Sequence, residues 1–284
     1  MSFRIGCFFI LFIVLFLFSS CQQDKKFFIE KDKFLSQIEK NEEYIRNISK
    51  ALAFDKEIVG IYTSLKVKVG DLEKIEKQKE AFYEYGYKLK NIFNEIIKKY
   101  ERDIGLSIKY NFYLPSGVLW VIPDKPHGED IILQDKSKEK INIIEVFNKK
   151  RIIHGIVLET NALIYSATTP VFNESGEILG AIEVWTDFLS LLDYYLYQNA
   201  KAKIIVVLKN EVARYFPSIP KDKKTDKGFV LFSNLENLDY QLIINKSFSL
   251  KNEDILQISG RKFIIIDLFD FKNNKIGQIL FSPY

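Results

Sequence analysis

Cysteine is almost missing from this 284-residue chain: Cys7 and Cys21 are its only two. Cys7 lies inside an N-terminal apolar run that export would remove, so the processed chain has no disulfide and no cysteine-held metal cluster. Its fold must rest on its core. Histidine is equally sparse, with only His127 and His154. An enzyme needs a nucleophile, an acid/base pair or a metal held in mutual geometry, and there is neither a glycine-rich phosphate loop nor a serine-nucleophile elbow. His127, Glu129 and Asp130 are residue types that bind zinc or manganese, but their spacing matches no dedicated metal motif, and a loop with satisfied turn and capping contacts is the simpler reading. These absences point away from an enzyme, a cofactor or a metal centre. A block of one charge is absent too. The 41 Lys and Arg against 37 Asp and Glu give only +4, with the signs interspersed, which argues against a nucleic-acid partner.

Long apolar runs are missing except at the start. After Arg4, residues 5–18 are continuously apolar or small, and Ser19, Ser20 and Cys21 precede a polar stretch from Gln22 to Lys26. A basic tip, an apolar middle and small residues before a cleavage point describe a signal peptide. The run falls short of the roughly 20 apolar residues that span a ~30 Å hydrocarbon core. Cys21 stands where lipoprotein signal peptides resemble one another, although Phe18 replaces the usual leucine two residues before Ser20. The expectation is a diacylated Cys21 as the new N-terminus, held to a membrane by lipid chains that stabilise by about 0.8 kcal/mol per buried CH₂. A retained membrane anchor, and a cysteine merely lying past a secretory cleavage site, are the alternatives for this segment.

Hydrophobic residues make up 47% of the chain, with 24 Phe, enough for a sizeable core in the about 260 residues that processing leaves. Phe34, Ile38, Ile45, Ile48 and Leu52 recur at helical spacing, which predicts one helix over residues 31–52. A second is expected over 72–100, capped by Asp71, with Ile75, Phe82, Tyr85, Leu89, Ile92, Ile96 and Tyr100 as its stripe. At about 1.5 Å per residue it would run roughly 40 Å, a spine beside two modules. Strands follow at 106–114 and 118–122 around the turn Pro115-Ser116-Gly117. A short helix is expected over 138–149, strands at 152–158, 163–172 and 178–185, and a connecting helix over 187–199. Further strands are expected at 203–208, 229–232, 240–244, 262–269 and 276–281. A faint repeat links the halves: Phe172, Gly180 and Ile182 have the spacing of Phe269, Gly277 and Ile279. The expected fold class is α+β, a long N-terminal helical spine with two antiparallel-sheet, PAS-like modules.

The stretch Phe112-Tyr113-Leu114-Pro115-Ser116-Gly117, then Pro126-His127-Gly128-Glu129-Asp130, resembles the aromatic hairpin and Gly-acid-acid loop of one double Cache subfamily. Pro170-Val171-Phe172, Gly176, Gly180, Ile182 and Glu183 form a second such stretch. The chain from about Lys31 onward is therefore similar to the double Cache sensory domains that lie outside the membrane in bacterial chemoreceptors and sensor kinases. The resemblance implies a signal peptide over 1–20, a tether and spine over 21–101, a membrane-distal module with its connecting helix over 102–199 and a membrane-proximal module over 200–284. It also implies a small-molecule ligand, a homodimer through the first helix and, with no second apolar span or transmitter after Tyr284, a separate chemoreceptor or sensor kinase as partner. Arginines that the subfamily often carries are replaced by neighbourhoods reading Leu119-Trp120-Val121 and Tyr165-Ser166-Ala167. Because arginine is the bidentate clamp for carboxylates, a neutral or amine-bearing ligand is expected.

Strand alternation proposes the pocket: Asn111, Tyr165, Thr169, Glu183 and Trp185 as its polar and aromatic lining, His127 and Asp130 at its mouth, and Trp120 as a stacking wall or a core residue. The competing reading is a surface lipoprotein with an adhesion or structural role, which an exposed apolar patch in place of a pocket would favour. Palmitate labelling tests the anchor: wild type incorporates label and partitions into detergent, whereas Cys21→Ser does neither. An unlabelled wild type with an unchanged variant rules out lipidation.

Overall fold

The computed structural model describes residues 3–69, 79–121, 132–136 and 140–284. Helix α1 (Phe3–Ala53) is followed by α2 (Lys56–Val69) and α3 (Lys79–Ile104). Phe27, Phe34, Ile38, Ile45, Ile48 and Leu52 of α1 are buried, a spacing of threes, fours and sevens that keeps one face inward. Helix α2 was not anticipated. Its start is fixed by Asp55, whose carboxylate accepts from the backbone N–H of Glu57 at 2.9 Å and Ile58 at 3.1 Å. The buried stripe of α3 runs through Phe82, Leu89, Phe93 and Ile97, so Tyr85, Ile92, Ile96 and Tyr100 lie at its flank, only partly buried. The expected Asp71 cap falls outside the described residues.

The first sheet holds β1 (Lys109–Leu114), β2 (Val118–Val121), β3 (Ile132–Asp135), β4 (Ile153–Glu159), β5 (Ala162–Phe172) and β6 (Ile178–Asp187). Helix α4 (Ile141–Lys149) precedes β4, and α5 (Phe188–Gln198) follows β6, capped by Asp187. The second sheet holds β7 (Lys203–Lys209), β8 (Gly228–Ser233), β9 (Ile255–Ile258), β10 (Arg261–Phe269) and β11 (Lys275–Ser282), with α6 (Tyr240–Ser247) before β9. All the pairings are antiparallel. The fold is α+β, a long helix with two antiparallel sheets. Three assignments change: residues 240–244 are helical, and Ile132–Asp135 and Ile255–Ile258 are strands. The run Tyr-Gln-Leu-Ile-Ile fits either period at that length, but Asp239 accepts from the Leu242 N–H at 3.0 Å and starts a helix that buries Ile243 and Ile244.

The sheets have orders β3-β2-β1-β6-β5-β4 and β8-β7-β11-β10-β9. With β3 set aside, the two share one topology: the first strand lies between the second and the last, and the last lies beside the fourth. The sequence repeat falls on matching places. A register shift lies between Val171 and Phe172 in one hairpin and between Leu268 and Phe269 in the other, with Gly180 opposite Val171 and Gly277 opposite Leu268. The glycines answer close backbone approach: a Cβ on Gly180 would lie 2.4 Å from the Tyr113 carbonyl oxygen, and one on Gly277 would lie 2.3 Å from that of Val207.

Helix α1 reaches both sheets. Just past its midpoint Lys31 pairs with Glu253 at 2.6 Å. Next along it Phe34 stacks on Phe281 at 4.5 Å and meets Tyr195 edge-on at 4.8 Å. Further on, Ser49 bonds Thr169 at 2.8 Å. The helix therefore runs from the second sheet to the first, and burying a side chain such as Phe34 contributes about 1.5–3 kcal/mol.

Alanine substitution tests the repeat. Gly180→Ala and Gly277→Ala are each expected to lower stability by about 1–3 kcal/mol through overpacking, whereas Gly60→Ala, in α2 with nothing within 4 Å of its added carbon, gains about 0.5–1 kcal/mol from helix propensity. Urea unfolding of the three variants reads the difference.

Candidate functional site

Strand pairing sorts the first sheet into two faces, because directly opposed residues point to the same side. Asn111 opposes Glu183, Thr168 opposes Glu183, and Ser166 opposes Trp185. This face, which also carries Tyr113, is covered by α4 through Ile143 and Val146. The other face carries Phe112, Trp120, Tyr165, Thr169 and Ile182 and meets the helical spine.

The candidate pocket is thereby divided. Asn111, Glu183 and Trp185 share the α4 face. Tyr165 and Thr169 lie on the opposite one, so their expected place beside Glu183 is corrected. Alternation separates residues within a strand, but register decides which half joins the neighbouring strand's, and here it is Ser166 and Thr168 that join Glu183. Thr169 bonds Ser49 of α1. Tyr165 bonds His154 Nδ1 at 3.2 Å. Trp120 is a core residue, edge-on to Phe82 at 5.6 Å and Tyr62 at 6.3 Å. His127 and Asp130 lie outside the described residues.

Glu183 is fully buried, and five donors converge on it. Its Oε2 accepts from Asn111 Nδ2 at 2.8 Å, the Tyr113 hydroxyl at 2.9 Å and Lys140 Nζ at 2.9 Å. Its Oε1 accepts from Ser166 Oγ at 2.9 Å and Asn142 Nδ2 at 3.1 Å. A carboxylate has about four lone-pair sites, so this one is saturated. Lys140 also pairs with Glu159 at 2.8 Å. Burial pushes the Glu183 carboxyl upward, but the Lys140 charge and the donors from Asn111, Lys140 and Ser166 hold it below the usual carboxylate range. For Lys140, burial works against the ammonium, and the charges of Glu183 and Glu159 raise it above the ordinary lysine value. Beside this network Trp185 is half-buried, with Lys109 4.9 Å from its ring centroid and its indole N–H without a partner among the described residues.

Tyr113, Lys140, Asn142 and Ser166 were missed as site residues. Tyr113 and Ser166 were within reach of a correct register. Lys140 and Asn142 arrive from the start of α4, a placement that no spacing in the sequence displays.

The second sheet has no such network. Taking Gly277 as the counterpart of Gly180, Leu280 replaces Glu183, and its strand partners Ile205 and Ile265 replace Asn111 and Thr168. Phe263 and Val207 stand for Ser166 and Tyr113. All five are buried in one apolar cluster with Ile243 and Ile244 of α6. Among the described residues no group of three or more His, Cys, Asp and Glu is placed to hold a metal.

A half-open cleft of about 850 Å³ lies just outside the network, where the two sheets' modules meet. Lys140 and Asn142 belong to its wall as well as to the Glu183 shell.

No family model matches the chain, and no curated protein matches it. Among solved structures it is similar to the periplasmic domain of LuxQ from Vibrio cholerae, at 9% identity over 88% of this chain and 96% of that one, with a TM-score of 0.46. It is also similar to the sensor domain of the histidine kinase DctB from V. cholerae, at 13% identity over 89% and 94%, TM-score 0.43. A third is an extracellular ligand-binding receptor from Desulfohalobium retbaense, at 11% identity and TM-score 0.40, where 79% of this chain spans 39% of that one. With TM-scores below 0.5, these likenesses leave function to be read from the chain's own residues.

Removing one partner of a buried ion pair costs about 3–5 kcal/mol, so Glu183→Gln is expected to destabilise strongly at pH 7. Because the folded Glu183 pKa is depressed, its contribution is present above the ordinary carboxylate value and is lost as pH falls through the folded value. The gap between wild type and Glu183→Gln in denaturant midpoint should therefore close on acidification below pH 4.5. A gap that stays constant to pH 3 contradicts the charge assignment.

Proposed function

We propose that this chain is a lipid-anchored extracytoplasmic sensor of double Cache type, in which the first-sheet module binds a small molecule and the complex is read by a separate membrane receptor or kinase. The observation that carries this reading is the contrast between two sheets of one topology. At matched positions one buries Tyr113, Ser166, Thr168 and Glu183 beside a half-buried Asn111, and the other buries five apolar side chains. Polar groups converging under a cover are what a small-molecule site uses, whereas the second sheet's filled core leaves it to support and relay.

Further support comes from where the family-like stretches fall. Phe112-Tyr113-Leu114-Pro115-Ser116-Gly117 forms the end of β1 and the turn to β2, and Pro170 to Glu183 forms the β5–β6 hairpin. They lie at the network. With Glu183 already saturated, an amine-bearing ligand would have to replace the Lys140 ammonium, and a neutral one to exchange with the Asn111, Asn142 or Ser166 donors. Lipid on Cys21 would hold the start of α1, and with it the second-sheet module, near the membrane.

A thermal-shift screen of the form beginning at Gln22 against metabolites, followed by calorimetry on the hit, tests the proposal. Ser166→Ala, Asn111→Ala and Trp185→Phe are expected to weaken binding about tenfold or more, since unmaking one polar contact in a closed site costs about 1–3 kcal/mol. Tyr165→Phe, on the opposite face, leaves affinity unchanged. Equal affinity in the first three folded variants would remove the ligand from this face.

A further inference from the structure

We propose that the cleft between the two modules is a second binding site, which takes a small carboxylate that also carries a hydroxyl or ammonium donor. The cleft is framed by main chain. Phe271 N–H donates to the Ile156 carbonyl at 3.0 Å and Asn161 N–H to that of Tyr215 at 2.6 Å, so strand β4 of the first sheet is tied on two sides to the second module. Its volume of about 850 Å³ lies within the range of pockets that hold small ligands.

The charges on its walls do not all cancel. Basic side chains there are Lys136, Lys140, Arg214, Lys272 and Lys275, against Glu159, Glu211 and Asp270. Lys140 is held by Glu159 and Glu183, Lys275 by Asp267 at 2.6 Å, and Lys272 more loosely by Glu145 at 3.5 Å. Asp270 is taken up by its own turn, accepting from the backbone N–H of Lys272 and Asn274 and from Asn274 Nδ2. Lys136 has a contact of its own, and two opposite charges remain on the short 3-10 segment Asn210–Tyr215. Arg214 has no carboxylate partner among the described residues, and its guanidinium is held 5.0 Å from the Tyr215 ring centroid, with Nη2 3.2 Å from the Tyr215 hydroxyl. Glu211 likewise has no cationic partner among the described residues.

A stacked, planar guanidinium is preorganised to accept a carboxylate through two parallel N–H donors. An independent feature asks for the opposite group. Asn142 is 2% exposed and lines the cleft, and while its Nδ2 serves Glu183, its Oδ1 has no donor among the described residues. A buried acceptor left unmet is unfavourable, and a ligand donor relieves it. A carboxylate for Arg214 together with a hydroxyl or ammonium for Asn142 or Glu211 meets both needs. A plain dicarboxylate meets only one, and a diamine meets neither Arg214 nor Lys272. Occupancy would bridge the start of α4, which grips Glu183, to the second module, so the site bears on communication between the sheets whether or not the first-sheet face takes its own ligand.

The test uses the full chain in neutral detergent micelles at fixed ionic strength, with L-malate, L-serine, succinate, 1,4-diaminobutane and inorganic phosphate as probes, read by thermal shift and calorimetry. L-malate or L-serine is expected to raise the melting temperature and bind at least tenfold more tightly than succinate, phosphate or the diamine. That binding should weaken at least tenfold in Arg214→Ala, recover only in part in Arg214→Lys, and persist in Ser166→Ala. The proposal is overturned if neither L-malate nor L-serine binds, if succinate or phosphate binds as tightly as they do, or if Arg214→Ala leaves their affinity intact. Loss in Ser166→Ala but not in Arg214→Ala also overturns it, and moves the ligand to the first-sheet face.

Discussion

One buried stripe on α1 is shared by both sheets, and the arrangement of the molecule depends on it. Phe34 packs against Phe281 of β11 and Tyr195 of α5, while Ser49 reaches Thr169 of β5. The two contacts are fifteen residues apart, about 22 Å along a helix. Each sheet alone would present an uncovered apolar face. The helix closes both faces with a single continuous surface, so a shift of α1 against one sheet alters its fit against the other.

The second constraint is electrostatic. A carboxylate buried as deeply as Glu183 is tolerated only because charge and donors surround it, and those donors come from β1, β5 and the residues at the start of α4. The apolar contacts of Ile143 and Val146 place α4 over the sheet, but they are adaptable, whereas the two directed bonds from Lys140 and Asn142 to Glu183 fix its start. Leu280, at the matching place in the second sheet, needs no such shell. Its surroundings are aliphatic and phenyl groups that pack by volume alone. The same topology thus yields a specified polar interior once and a filled core once, from substitutions at a handful of matched strand positions.

Much of this architecture is legible in the sequence, and the failures have physical causes. Phe34, Ile38, Ile45, Ile48 and Leu52 announce the buried face of α1 because helical spacing is a local property. Pro115-Ser116-Gly117 announces its turn because Gly117 takes φ 83°, which only glycine adopts freely. The two glycines of the repeat foretold that both halves share a hairpin, although three matching positions carried little weight alone. What stayed hidden was non-local. Tyr165 and Ser166 alternate on β5, and nothing within that strand says which of them faces Glu183, because a one-residue change of register exchanges the whole set. The residues that complete the shell from α4 are separated from Glu183 by more than forty positions, and Lys140 reads in sequence as one more surface lysine among many. The helix over Tyr240–Ser247 was hidden for the opposite reason. A short apolar run fits two periods, and only the Asp239 cap separates them.

Lys140 belongs to two environments at once, so ligands at the two proposed sites would compete for one ammonium. Its ammonium joins Glu183, in the interior of the first sheet, to Glu159, at the end of β4 on the wall of the cleft. Burial disfavours its charge, and only those two carboxylates sustain it. A ligand that competes for Glu183 therefore releases Lys140 toward Glu159 and the cleft, and an anion in the cleft competes for the same ammonium from the other side. Coupling of this kind is reciprocal, and it requires no change in either sheet. It requires only that the first residues of α4 have two arrangements of similar free energy, one held on Glu183 and one drawn toward the second module. Lys140, Asn142 and Glu159 all sit at that junction, and the backbone bonds Phe271 to Ile156 and Asn161 to Tyr215 hold the second module against it.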